Sequence, residues 1–587
     1  MAKLWWERLL RVFRPSRNLA SRTFSLGRRE PFRARRSRQA EKGPPPPRST
    51  RQPAGPPGAP TARIEHEKVS SRLEDNLRRV REVFNLPRNS DVVVREFRFG
   101  NSPAIRAGLV FIEGLTDKNH LHGAVLQPLM VLSRLGRPLP RRERVKMVSE
   151  ALLPHNQVQE EKELAPLVEG VLAGHTALFV DGEAAGLVVQ TRGFEFRAVE
   201  QPTAEQVVRG PKHAFTENLR VNTSLVRRSF RCAALVVESW RLGRLTRTET
   251  ALLYVDGLTN PRLIQETRRR LAAIDVDRIL DSGQVEQYLE DAPALLPTVL
   301  ATERPDRVAA FLADGHVALL VGDSPFALIA PATFETFYHN PEDVYLRWPL
   351  GTMLRLIRLA GVFVTLLLPA AYVALINFHQ EMIPTELTLA ISAAREAVPF
   401  PSFVELFFLE AGFELIREAG VRIPSVIGPT IGIVGAVILG QAAVAANLIS
   451  PVLIIIVAVT ALGSFAVPNY SAAMLLRAYR IPFALLGLIL GFFGIAAGLY
   501  AMALLLCSTK SFGVPYMSPI APYRGGPPDV VVRGQLTRLS RRPVYLRPLD
   551  AISQRRLLRK WDPHSAELER PPSAEPGEGS GPRPPGR

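Results

Sequence analysis

A continuous apolar block, roughly Leu356 to Leu506, follows about 350 residues of polar, mixed sequence. That order sets the class of fold: a large aqueous region precedes a membrane block. The stretch Leu359–Phe378 (LAGVFVTLLLPAAYVALINF) carries no charge and is long enough for a hydrocarbon core of roughly 30 Å. Val452–Val467 (VLIIIVAVTALGSFAV) is equally free of charge. Mean hydropathy is only +0.06, because the polar half dilutes the signal.

The net charge of +18 suggests nucleic acid at first sight. Its distribution points elsewhere. Residues 1–63 hold sixteen Lys/Arg against Glu7, Glu30 and Glu41, so this head carries about +13 of the total. A basic head on a membrane protein is expected to stay in the cytoplasm and meet anionic lipid. The opening MAKLWWERLLRVF reads as a short interfacial amphipathic helix, too interrupted by charge for a signal-peptide core. The only cysteines are Cys232 and Cys507, the latter in an apolar span, so no disulfide framework is expected.

Residues 1–65 are Arg-, Pro- and Gly-rich and cannot bury a core, as is the end from Ala566. Between them the aqueous region repeats itself. LVFIEGLTD (Leu109–Asp117) matches LLYVDGLTN (Leu252–Asn260), and GHTALFVDGEAAGLVV (Gly174–Val189) matches GHVALLVGDSPFALIA (Gly315–Ala330). Two landmarks in one order at similar spacing indicate a duplicated α/β unit. Glycine supplying a turn at a strand end accounts for the EGLT and DGLT strings better than a ligand loop does. Between the copies, Gln201–Cys232 is rich in arginine and reads either as a membrane-facing or subunit-contact helix or as a solvated linker helix.

Trp348, Arg355 and Arg358 precede the first span as interface and cytoplasmic markers. Pro369 lies in its middle as a kink candidate. The next stretch, His379–Pro424, is apolar yet carries Glu381, Glu386, Arg395, Glu396, Glu405, Glu410, Glu414, Arg417 and Glu418, and is broken by Pro384, Pro399 and Pro401. Ionisable groups at membrane depth are costly unless they face water or a partner. A water-lined vestibule with acidic rings and an interfacial amphipathic helix both fit. Further spans are expected at Val426–Ala446, Ile449–Val467 and Ile481–Cys507. Gly428 and Gly432, and the series Gly487, Gly491, Gly494 and Gly498, are small-residue positions suited to helix packing. Gln441 is a polar group near a span end that bridges helices or lines a path. The topology does not close: four spans leave Arg477 and Arg480 outside, five leave the basic C-terminal stretch outside, and a re-entrant piece within 379–424 is required.

Chemistry-bearing motifs are missing. There is no GxxxxGK[ST], no GxGxxG after a strand, no HExxH and no CxxC, and His120 and His122 lack nearby Cys or acidic ligands. No enzyme, cofactor or metal site is expected. The fold class expected is an α/β region of two duplicated subdomains followed by an all-α polytopic membrane domain with a broken or re-entrant segment. Its divisions are 1–65, 66–201, 202–232, 233–347, 348–510 and a C-terminal tail, 511–587.

VVVREFRFG (Val92–Gly100), AGLVFIEGLTDK (Ala107–Lys118), VVRGPKHAFTENLRVNTSLVRR (Val207–Arg228), ALLYVDGLTNP (Ala251–Pro261), QEMIPTELTLAISAAREAVPFPSFVE (Gln380–Glu405), REAGVRIPSVIGPTIGIVGAVILGQAAV (Arg417–Val444) and KSFGVPYMSPIAP (Lys510–Pro522) resemble the A subunit of spore germinant receptors, the GerA family. Gln380 departs from the Pro expected before Glu–Met. The resemblance implies a multi-pass protein of the inner spore membrane with a cytoplasmic N-terminal domain. It implies a transporter-like B subunit, a lipoprotein C subunit and a homo-oligomer, possibly a pentamer, that releases monovalent cations. Glu381, Glu396, Glu405, Glu410, Glu414 and Gln441 then become pore or gate candidates, and the Gly487–Gly498 series a subunit-contact candidate. A branch of the same family that modulates germination without nutrient-specific gating is the alternative.

Overall fold

The computed structural model describes residues 64, 66–100, 104–131, 145, 148, 158–193, 201–291, 294–422, 440–523 and 529–554. The basic head, Gly428, Gly432 and the end of the chain lie outside the described residues.

Two five-stranded antiparallel sheets come first. Strands β1 (Val92–Phe99), β2 (Ile105–Ile112), β3 (Val158–Glu161), β4 (Thr176–Val180) and β5 (Gly186–Val189) stand in the order β1-β2-β4-β5-β3. Strands β6 (Leu235–Leu242), β7 (Thr248–Val255), β8 (Leu300–Thr302), β9 (Val317–Val321) and β10 (Ala327–Ala330) stand in the order β6-β7-β9-β10-β8. The order is the same. The paired sequence segments take equivalent places: Leu109–Asp117 and Leu252–Asn260 end the second strand of each sheet and make its turn, and the two GH-x-AL-x-V segments form β4–β5 and β9–β10. The paired glycines 174 and 315 have φ of 95° and 98°, a region that only glycine enters freely.

In the second unit neighbouring residues feed opposite cores, as the pleat requires. Leu252 and Leu319 join one cluster, Leu253 and Leu320 the other. Both faces are covered, so β7 and β9 read as unbroken apolar runs. Each fully buried leucine contributes about 1.5–3 kcal/mol. Helices α1 (Leu73–Val83) and α2 (Leu164–Leu172) cover one face of the first sheet with Leu73, Leu77, Val168 and Val171.

The segment between the sheets forms α3 (Leu219–Ser229), capped by Asn218, whose side chain accepts from the Arg220 and Val221 amides. This helix is more than a solvated linker, because Asn222, Leu225, Val226 and Arg227 are buried within the chain. Arg227 is 1% exposed, and its guanidinium donates to both carboxylate oxygens of Asp91 at 2.8 and 2.9 Å and to Asn89 Oδ1 at 3.0 Å. Asn89 also accepts from the Val237 amide at 3.0 Å, so one buried cluster joins the two sheets.

The helical block leaves the second unit through α4 (Trp348–Phe378). At its base Asp343, fully buried, accepts from Arg358 at 2.7 and 2.8 Å and from Arg355 at 3.2 Å. The flanking arginines are thus structural pins. The chain continues through α5 (Thr385–Glu396), α6 (Ser402–Arg422), α7 (Pro451–Phe465) and α8 (Tyr470–Ser508). Among the described residues, α4 and α8 are long and apolar enough to cross a membrane.

Two expectations are corrected here. The last apolar segment is not one straight span. Gly491 has φ 60° and ψ −142°, which breaks the helix. The limbs 470–490 and 492–508 fold back on each other, so that a Cβ on Gly498 would meet Leu486 at 2.8 Å and Phe483 at 3.1 Å. Ala472, Leu475 and Tyr479 of one limb and Leu505 and Leu506 of the other pack on the same core of the second unit. The turn at Gly491 lies against Phe378 and His379, at the far end of α4. Second, residues 511–523 and 529–554 are not a tail. Strands β11 (Lys510–Ser511) and β12 (Val514–Pro515) form a hairpin, and Phe512, Tyr545 and Leu546 are buried in the core of the second unit. Arg542 donates to Ala313 O at 2.7 Å and Leu549 N–H to Leu258 O at 2.9 Å.

Candidate functional site

The acidic stretch is organised by α6. Pro401 starts it, its carbonyl accepting from the amides of Val404 and Glu405. Spacings of four and three put Glu410, Glu414 and Arg417 on one side of the helix. Near its start, the Ser402 hydroxyl and the Asn377 amide exchange bonds of 3.1 and 3.2 Å, fixing this end to the far end of α4. The helix then runs back toward the aqueous units.

Three carboxylates of α6, Glu405, Glu410 and Glu414, meet arginines. Glu405, 1% exposed, accepts from Arg395 of α5 at 3.2 Å and from the Ser450 amide at 3.0 Å. Glu410 is ion-paired with Arg480 of α8. Glu414 pairs with Arg417 at 3.4 Å and lies 3.9 Å from Arg477. Arg417 also stacks its guanidinium over Phe413 and Phe465, 5.2 and 5.1 Å from the ring centres. A cavity of about 240 Å³ opens beside these pairs, lined by Glu410, Glu414, Arg477, Arg480, Phe407 and Pro369 among others. Charged groups of both signs in an apolar helix bundle are tolerated because each has a partner. Separated, these pairs would present two carboxylates and two guanidinia to the cavity that they line.

A family model described as "Bacillus/Clostridium GerA spore germination protein" matches residues 78–545. The chain belongs to the GerA spore germination family. It is 40% identical over 468 residues to Spore germination protein KA of Bacillus subtilis (strain 168), an alignment that covers 79% of this chain and 85% of that relative. It is 38% identical over 460 residues to the Uncharacterized membrane protein YfkQ of the same organism, with 77% and 88% covered. Among solved structures, the crystal structure of the N-terminal domain of the A subunit of the Bacillus megaterium spore germinant receptor GerK3 is 33% identical. It covers 46% of this chain and 98% of that domain, with a TM-score of 0.37.

In this GerA-family chain the carboxylates suspected from sequence divide into two sets. Glu405, Glu410 and Glu414 share one helix and are paired. Glu381, in the turn after α4, and Glu396, at the end of α5, are exposed and stand apart from them, as does Gln441. Pro369 is buried inside α4, Pro384 precedes α5, and Pro399 and Pro401 make the exposed link into α6. The glycine series is used within the chain. A Cβ on Gly487 would meet the Ala370 carbonyl at 2.7 Å, and one on Gly491 would meet His379 at 2.9 Å. Sequence reading missed the arginine partners. In the sequence, Arg477 and Arg480, spaced by three, read only as topology markers that four spans leave outside. Their spacing on an apolar helix, facing acids spaced by four, was the available sign.

Proposed function

We propose that this chain is the A subunit of a nutrient germinant receptor and that several copies form a gated cation path through the inner membrane of the spore. The observation that carries the reading is three carboxylates, Glu405, Glu410 and Glu414, on one helix of an apolar block, each held by an arginine. Paired, the carboxylates are neutralised and the path is shut; released, they favour cations. The aqueous units are cytoplasmic in this reading. Residue 348 and residues 510–554 both join the second unit, so the number of crossings between them is even. The membrane passes are then α4 outward, α6 inward, the span expected from sequence at Val426–Ala446 outward, α7 inward, and the two limbs of α8 as a hairpin. A transporter-like B subunit senses the nutrient, a lipoprotein C subunit completes the receptor, and the copies associate, possibly as a pentamer. The glycines 487, 491, 494 and 498 serve helix packing around Gly491.

A second reading is an accessory scaffold that modulates germination. The burial of Glu405 between Arg395 and the Ser450 amide favours it, since such a carboxylate also serves simply to hold the bundle. Potassium efflux from spores with and without the gene, challenged with separate amino acids and sugars, distinguishes the two. Loss of efflux to one nutrient with others intact supports the receptor. General slowing with every response retained supports the scaffold and removes the pore assignment.

A further inference from the structure

A second cavity, of about 320 Å³, lies where the second sheet unit, the base of α4 and the returning segment 529–545 meet. Its volume falls at the lower end of the range for small-ligand pockets, room for on the order of ten waters. The wall is unusual in its balance of acceptors and donors. Arg307, Arg355 and the exposed Arg541 line it, and the first two are already engaged. Arg307 is ion-paired with Glu205 and donates to the Thr336 carbonyl at 2.9 Å. Arg355 is held by Asp343 and, at 2.9 Å, by Asp529. Glu335 and Asp314 also line the cavity and make no ion pair closer than 4 Å to any described residue. The Glu335 carboxylate accepts from the Tyr545 hydroxyl at 2.6 Å.

His316 adds an independent sign. It lines the same cavity and is 1% exposed. Its Nδ1 lies 3.2 Å from the Phe311 carbonyl and must donate, which makes Nε2 an acceptor. That Nε2 is buried with no hydrogen-bond partner, an arrangement that costs free energy unless a donor arrives. Two unpaired carboxyls and an unfilled imidazole acceptor ask for a ligand rich in donors. No three His, Cys, Asp or Glu side chains among the described residues converge closely enough to hold a metal ion. An ammonium group supplies three donors and a positive charge, and Tyr345, Tyr545 and Val344 in the same wall offer carbon to its apolar body.

We propose that this cavity is a binding site for a small molecule carrying a protonated amine, held by Glu335, Asp314 and His316. The site is separate from the charged cavity between α6 and α8 and does not depend on the channel reading. It touches the first long helix directly, because Arg355 is both a lining residue and a pin of α4. Occupancy therefore bears on how that helix is seated on the second unit.

The full chain, purified in detergent, is titrated with propylammonium chloride, and with 1-propanol and sodium propionate at matched ionic strength, while its thermal unfolding is followed. The proposal expects a saturable rise in melting temperature with propylammonium alone. It expects Glu335→Gln, which keeps volume, and Asp314→Asn each to lower the affinity at least tenfold, while Asp275→Asn on an exposed loop leaves it unchanged. No saturable rise, an equal rise with propanol, a preference for propionate, or unchanged affinity in both cavity variants overturns it. The comparison of probes on the unaltered chain decides the matter even if one variant fails to fold.

Discussion

The two sheet units share a strand order and differ in where they keep their charges. The first wears its ion pairs outside: Arg81–Glu96, Arg106–Glu74 and Arg78–Asp75 all join partners that are about a third or more exposed. The second keeps Arg244–Asp277 outside but also buries several: Arg304–Asp306, Arg307–Glu205, Arg270–Glu266 and Arg355–Asp343 place at least the arginine at 9% exposure or less. Several of those buried pairs lie on the side that receives α4 and the segment 529–554. One topology has therefore been put to two uses. The first unit is an outlying layer, and the second is the seat on which the helical block rests. An exposed pair contributes little, whereas removing one partner of a buried pair strands a charge.

The largest effect expected from this contrast follows Arg355→Ala. It leaves Asp529 without its guanidinium and Asp343 with Arg358 alone, at a cost of about 3–5 kcal/mol. Unfolding in detergent should show the second unit and the helical block losing their common transition, with the first unit retained. Gly487→Val should cost about 1–3 kcal/mol, because the added carbon meets the Ala370 backbone and the helices must part. Gly420→Ala, where nothing lies within 4 Å, should be neutral or slightly stabilising in the same assay.

A pH profile sharpens the comparison. Burial pushes Glu335 up to about 7 from an ordinary 4.5, against the Tyr545 hydroxyl, which pulls it down. Burial likewise pushes Asp314 up to about 6, with Arg542 opposing. The folded chain thus holds protons that the unfolded chain releases. Stability from Glu335 is complete below about 4.5 and is lost as pH rises through about 7, on the order of 3 kcal/mol at most. Melting temperature should fall across that window, and Glu335→Gln should flatten part of the slope. An unchanged slope would show that the carboxyl is hydrated in the folded chain. The smallest effect belongs to the first unit: Arg106→Ala should change stability by less than about 1 kcal/mol, and less still at high salt.

Much of this contrast was legible in the sequence at the level of elements and little at the level of partners. The repeat was visible because paired glycines end strands in both units, and a positive φ is written in a residue type. The acid-rich stretch was visible because glutamates in apolar sequence are costly wherever they go. The bend at Gly491 was hidden, since a series of glycines reads equally as a packing stripe on a straight helix. Segment 529–554 looked like a tail because its burial comes from isolated residues, Tyr545 and Leu546, without a period. The pairing of Glu410 with Arg480 joins positions seventy residues apart in sequence. No local spacing encodes such a contact; it follows only from the antiparallel run of α6 against the first limb of α8.

The central claim is that this pairing latches a cation path. Nutrient-triggered potassium efflux, measured in spores carrying Arg480→Glu alone and together with Glu410→Arg, tests it most directly at matched protein levels. The single variant should leak or fail to hold the closed state, and the double variant, which restores opposite charges across the same two helices, should recover nutrient control. Efflux that is normal in the single variant would contradict the claim.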